Sequence, residues 1–164
     1  MKKLLLAMVC LMMLVGCGAQ ETVKEEENVM GGVQIANPFR DYATLEEAFV
    51  GAGLEMNLPE TVGTYTINDF RAMPEKMLEV IYVDGDNDIK VRKTEGVEDN
   101  SGYFGANELV EEVQSYNGLE LNIKSNEDVI YVVTWNVDGY SYSLTAHAGI
   151  STEDVHTLVD SIHA

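Results

Sequence analysis

Residues 129–146 read VIYVVTWNVDGYSYSLTA. Asp138-Gly139 separates two runs in which aromatic and β-branched residues alternate with Asn, Ser and Thr. This is the pattern of two strands joined by a two-residue type I′ turn. A turn at that point sets the register. Trp135 should face Tyr142, Val133 Leu144 and Tyr131 Ala146, while Asn136/Ser141, Thr134/Ser143, Val132/Thr145 and Ile130/His147 share the other side. One face is expected to pack and the other to meet solvent.

Working outward, Ser151-Thr152-Glu153-Asp154 caps a closing helix. Val155, Leu158, Val159 and Ile162 recur there at core-facing spacing. Upstream, Tyr116-Asn117-Gly118-Leu119 offers another hairpin turn, followed by alternating Leu119, Leu121 and Ile123. The strand before it is less regular, because Glu112 and Gln114 fall on the apolar side. Residues 82–95, YVDGDNDIKVRKTE, give a hairpin with a turn at Gly85-Asp86. Its register pairs Tyr82 with Ile89 and Val80 with Val91 on one face, and Glu79 with Arg92 and Ile81 with Lys90 on the other. A β-rich stretch from Tyr65 to Ala72 ends before Pro74. Ahead of it Thr44-Leu45-Glu46-Glu47 is a capping box, Leu45, Ala48, Phe49 and Ala52 share a helical face, and Gly51 and Gly53 supply the stop. The expected fold is α+β: a single domain over 41–164, built as one antiparallel sheet of hairpins with an N-terminal and a C-terminal helix packed on one face.

The first residues, MKKLLLAMVCLMMLVGCGAQ, carry an export signal over 1–16. Lys2 and Lys3 precede an apolar stretch from Leu4 to Val15, which is shorter than the ~20 residues a membrane-spanning helix needs. Leu14-Val15-Gly16-Cys17 resembles the lipobox of bacterial lipoproteins, in which the cysteine thiol is acylated and becomes the new N-terminus. Two acyl chains meet the requirement for stable anchoring. The predicted location is therefore the outer face of the cytoplasmic membrane, with Cys17 as lipidation site. Residues 17–40 are polar and acidic, including Glu25-Glu26-Glu27, and read as a flexible tether with a reach of about 25–30 Å.

Only Cys10 and Cys17 exist, and Cys10 falls in the discarded signal, so the exported domain must stand on its hydrophobic core without a disulfide. The signal holds two of the 10 basic residues and none of the 28 acidic ones, which leaves −20 on the exported chain. That balance argues against nucleic acid and against lying flat on anionic lipid.

Three stretches carry a family resemblance: IKVRKTEGVEDNSG (89–102), YNGLELNIK (116–124) and TWNVDGYSYSL (134–144) with its closing helix. In them the chain resembles a domain family of unknown function in low-GC Gram-positive bacteria. Its members are small lipoproteins or extracytoplasmic C-terminal domains of sigma regulators. Glu98-Asp99 and Ser101-Gly102 match the family's pattern around residues 96–105, and the residues around them depart from it. The resemblance implies an α+β fold and an extracytoplasmic location. It implies no activity and no site residue.

Five constellations invite a chemical reading. Asp84, Asp86, Asp88 and Glu95 match positions of a calcium loop, but Ile89 stands where such a loop needs Gly, so an acidic turn is the better reading. Lys90 and Arg92 project from one strand face, beside the Glu98–Gly102 loop. With Glu98, Asp99 and Ser101 they form the candidate interaction patch, set against the plainer reading of cross-strand pairing between Arg92 and Glu79. His147 shares a strand face with Ser143 and Thr145, yet no nucleophile elbow accompanies them. His156, Asp160 and His163 follow helical spacing on the last helix, where a solvated face is expected rather than a metal site. Tyr131, Trp135, Tyr140 and Tyr142 read as core aromatics before they read as a ligand floor.

The function expected is a membrane-anchored lipoprotein with a non-catalytic binding or sensing domain. No catalytic residue, metal or cofactor is assigned. Partners are the membrane through the lipid and an envelope protein or anionic wall polymer, with the chain itself monomeric. A carrier of an apolar ligand and a cell-envelope hydrolase stay open as alternatives. A deep apolar cavity would mark the carrier, and a Ser-His or carboxylate pair within a cleft would mark the hydrolase.

Overall fold

The computed structural model describes residues 37–105 and 108–164; the signal, Cys17 and the tether up to residue 36 lie outside the described residues. The chain runs β1 (Arg40–Tyr42), α1 (Leu45–Ala52), β2 (Thr61–Val62), β3 (Tyr65–Met73), β4 (Met77–Asp84), β5 (Asn87–Glu95), β6 (Val110–Tyr116), β7 (Leu119–Asn126), β8 (Val129–Val137), β9 (Tyr140–Ile150) and α2 (Thr152–Ile162). The strands form one antiparallel sheet in the order β1-β3-β4-β5-β9-β8-β7-β6, with β2 added beside β3. With its two helices the architecture is α+β.

Local chemistry explains most of these elements. Asp138 and Gly139 both take positive φ, 53° and 81°, as a type I′ turn demands, and Trp135 pairs with Tyr142 and Val133 with Leu144. The β4–β5 register is the expected one, from Glu79 opposite Arg92 to Tyr82 opposite Ile89. At the start of α1 the Thr44 hydroxyl accepts from the Glu47 N–H at 3.2 Å. The Glu47 carboxylate reaches back to the N–H of Ala43, one residue before the cap, also at 3.2 Å. Ser151 caps α2 by accepting from the Asp154 N–H.

The strand residues at alternate positions, among them Val80, Tyr82, Ile89, Val91, Val133, Trp135 and Leu144, bury in one cluster with Ala48 and Ala52 of α1 and Val155, Leu158, Val159 and Ile162 of α2. Tyr82, fully buried, keeps its hydroxyl satisfied by donating to the Pro59 carbonyl at 2.8 Å.

Two expectations change. Tyr131 does not face Ala146: after Val132–Thr145 the next pair is Ile130–Ile150, so β9 bulges against β8 between those pairs. Ala146 keeps its pairing with Ile89 of β5, and the extra residues let β9 serve both neighbours while turning toward α2. The second change concerns the face expected to meet solvent. There Ser141, Ser143, Thr145 and Val132 are each at most 2% exposed. The irregular pattern of β6 also has a reason. As the last strand of the sheet it is exposed from Val110 to Ser115, and a strand that buries neither face has no cause to alternate.

Candidate functional site

The polar face is built from one row of directly opposed residues crossing the sheet: Asp41 on β1, Arg71 on β3, Glu79 on β4, Arg92 on β5, Ser143 on β9 and Thr134 on β8. The first four alternate in charge. Arg71 Nε meets Asp41 Oδ1 at 2.9 Å, and its Nη1 lies 3.7 Å from Glu79 Oε1. Arg92 brings Nε and Nη2 to Glu79 Oε2, each at 2.7 Å. Glu79 is only 2% exposed, so its charge depends on these two guanidinium groups.

The segment from Gly96 to Gly105 is bonded at the Arg92 end of this row. Arg92 Nη1 donates to the carbonyls of Asn100 (3.0 Å) and Ser101. The side chains beneath hold the same segment. Ser141 donates to the Glu98 carbonyl at 2.7 Å and Thr145 to the Ser101 carbonyl at 3.2 Å. Asn100 Nδ2 donates to Thr94 Oγ1 and to the Ser141 carbonyl, both at 3.0 Å. Gly102 passes so close to the Arg92 guanidinium, at φ +60°, that any Cβ there would collide with it. Tyr103 stacks on His147, and Phe39 lies beneath the Arg92 guanidinium at 5.8 Å.

Within the loop, burial opposes the charge of Asp99. Hydrogen bonds from Ser101 and the charge of Lys124 outweigh it, and the carboxyl ionises below its ordinary range. Two apolar side chains point the other way: Val97 is 67% and Phe104 95% exposed. Beside the loop a cleft of about 590 Å³ opens toward the β3–β4 turn, with Lys76 facing the segment Glu95 to Asn100.

Of the expected patch, Arg92, Glu98, Asp99 and Ser101 share in this internal bonding, and Lys90 stands outside it. Arg92 is occupied by Glu79 and the loop carbonyls, and Lys90 pairs with Asp88 at 2.9 Å. Glu98 and Ser101 serve through their carbonyls, and Asp99 accepts from the Ser101 N–H at 2.8 Å. Sequence reasoning missed the anchoring role of Asn100, whereas the pairing of Arg92 with Glu79, the plainer of the two readings, is present in the structure.

Other groupings have structural tasks. Asp84 accepts from Thr64 Oγ1 at 2.6 Å. His156 stacks on Tyr116, Asp160 accepts from the Tyr116 hydroxyl and Asn117, and His163 Nε2 accepts from Trp135 Nε1 at 2.9 Å. Among the described residues no three His, Cys, Asp or Glu side chains are arranged to hold a metal.

Ser143 and His147 do not form a pair. Ser143 is fully buried and its Oγ has no hydrogen-bond partner, while His147 is exposed. Ser143→Ala is accordingly expected to leave stability unchanged or raise it by up to about 1 kcal/mol, because no bond is lost with the hydroxyl. Urea denaturation checks this, and a large loss would mean that Ser143 is bonded in solution.

Comparison with known proteins returns nothing similar: no family model, no curated protein and no solved structure matches this chain.

Proposed function

We propose that this is a membrane-anchored extracytoplasmic lipoprotein, held by Cys17, whose domain is a non-catalytic binding module that contacts an envelope protein through the Gly96–Gly105 loop. The observation that carries the reading is the grip of Arg92 on the Asn100 and Ser101 carbonyls. A segment with no strand or helix of its own is fixed from beneath, so little ordering entropy remains to be lost on binding. Outward it offers Val97 and Phe104 beside Glu98 and Asp99, an apolar and acidic surface suited to a protein. A polyanionic wall polymer is the weaker choice, since Arg92 and Lys90 already have carboxylate partners. Burial of α1 and α2 residues in the same cluster as Val80, Tyr82, Ile89 and Val91 supports both helices packing on one face, which leaves the opposite face to the loop.

The test is a pull-down from intact cells with the full lipidated chain and with Phe104→Ser. Phe104 is almost fully exposed, so the variant should melt as the unaltered chain does and lose its partner. A partner set identical in the variant rejects the loop as the contact surface. In parallel, Cys17→Ala should move the protein from the membrane to the soluble fraction; retention in the membrane rejects the lipid anchor.

A further inference from the structure

Along β5 alternate side chains share a face, so Lys93 stands with Ile89 and Val91 and away from Lys90 and Arg92. Leu78 of β4 and Tyr142 of β9 oppose it. Its ammonium lies 4.5 Å from the centroid of the Tyr140 ring and 5.4 Å from that of Tyr142. Nζ donates to the Glu55 carbonyl at 2.7 Å. Every other half-buried cation among the described residues has a carboxylate at ion-pair distance: Arg71 has Asp41, Lys90 has Asp88, Arg92 has Glu79 and Lys124 has Glu111. Lys93 has none, in a chain whose net charge is −18.

An ammonium withdrawn from water without an anion is unfavourable. Burial accordingly lowers the pKa of Lys93, with the nearby Glu55 charge working the other way. The amine borders a cleft of about 660 Å³ that it lines together with Phe49, Val50, Leu54, Glu55 and Tyr140. Phe49, Leu54 and Tyr140 are only partly buried against the core, and Val50 is 85% exposed. Its size is that of a small-molecule site, and its lining sets the apolar Phe49, Val50, Leu54 and the Tyr140 ring beside a single cation, Lys93, and two acids, Glu46 and Glu55.

We infer that this cleft binds a small monocarboxylic acid with an apolar or aromatic body, its carboxylate on the Lys93 ammonium and its body against Phe49, Leu54 and Tyr140. An ammonium has three N–H donors, and the Glu55 carbonyl uses one of them. The carboxylate supplies the anion that the fold does not. Glu46 and Glu55 line the same cleft, and their charges disfavour phosphates and dicarboxylates, which gives the site its preference for a single negative charge. The cleft lies on the other sheet face from the Gly96–Gly105 loop, and the inference stands independently of the loop's role.

The experiment titrates 3-phenylpropionate into the full chain and follows the NMR signals of the cleft residues. Its uncharged analogue 3-phenylpropionamide and inorganic phosphate are run alongside. The acid should shift signals of Phe49, Leu54 and Tyr140, and the amide should bind about tenfold more weakly or worse, the scale of one charge-assisted hydrogen bond. Phosphate should leave these signals in place. Lys93→Met keeps the aliphatic stem and should lose about the same factor for the acid, with its melting curve reporting whether the fold is intact. Equal binding of acid and amide by the unaltered chain overturns the inference. So does a cleft whose signals do not move, or a folded Lys93→Met chain that binds the acid unchanged.

Discussion

Arg92→Met is expected to cost about 3–5 kcal/mol, the scale seen when one partner of a buried ion pair is removed. Glu79 is 2% exposed and takes both its short contacts, at 2.7 Å, from this guanidinium. What remains is Arg71 at 3.7 Å, which Asp41 already engages. The loss therefore falls on a carboxylate left in a poorly solvated place, and the Asn100 and Ser101 carbonyls lose their donor as well. Urea denaturation measures the cost. Pairing the change with Glu79→Gln should recover a large part of it, because the stranded charge is then gone. A single variant within about 1 kcal/mol of the unaltered chain would reveal that water reaches Glu79, as it does at exposed pairs. Amide exchange across Gly96–Gly105 should also rise in the variant, since its main anchor is lost.

The second large effect belongs to Trp135. It is 0% exposed, lies parallel to Tyr142 with ring centroids 5.3 Å apart, and donates from Nε1 to His163 Nε2 at 2.9 Å. Trp135→Ala is expected to lose about 3–5 kcal/mol through the cavity it leaves, which circular dichroism in urea would measure in the absence of the chain's sole tryptophan. The contact also makes stability depend on pH. Only a neutral imidazole offers a ring nitrogen as acceptor, and protonation turns both into donors. Burial, then the charge of Lys93, hold the His163 pKa below its usual 6.5, with Asp138 opposing. As pH falls the unfolded chain takes the proton first. The contribution is thus present above 6.5 and is lost as pH falls through the lower folded value. In Trp135→Phe the indole donor is gone, so the pH dependence in this window should weaken. An unchanged pH profile would show that the bond does not govern His163.

Much of this architecture is local and therefore readable. Asp138-Gly139 and Gly85-Asp86 define turns by their backbone demands, and a turn fixes which residues oppose one another along both strands. Thr44 and Ser151 mark helix starts because their hydroxyls satisfy N–H groups three residues on. Arg92 opposite Glu79 followed from the same counting. The β9 bulge was not readable, because it answers to β5 on one side and β8 on the other.

What the sequence by itself determined, then, is the antiparallel sheet with its hairpins and capped helices, and the expectation of an exported, anchored chain. These rest on period-two alternation, turn chemistry and end groups, all of which act over a few residues. The tertiary structure alone decided the fate of the polar face and of Lys93. Gly96–Gly105 has no periodicity to read, and it closes because Glu79, Arg92, Ser141 and Thr145 reach one place from three strands. Alternation puts Lys93 on its face, but only packing shows an amine among aromatic rings with no carboxylate at ion-pair distance. Burial and charge neutralisation are sums over neighbours distant in the chain, and no short stretch of sequence contains that sum.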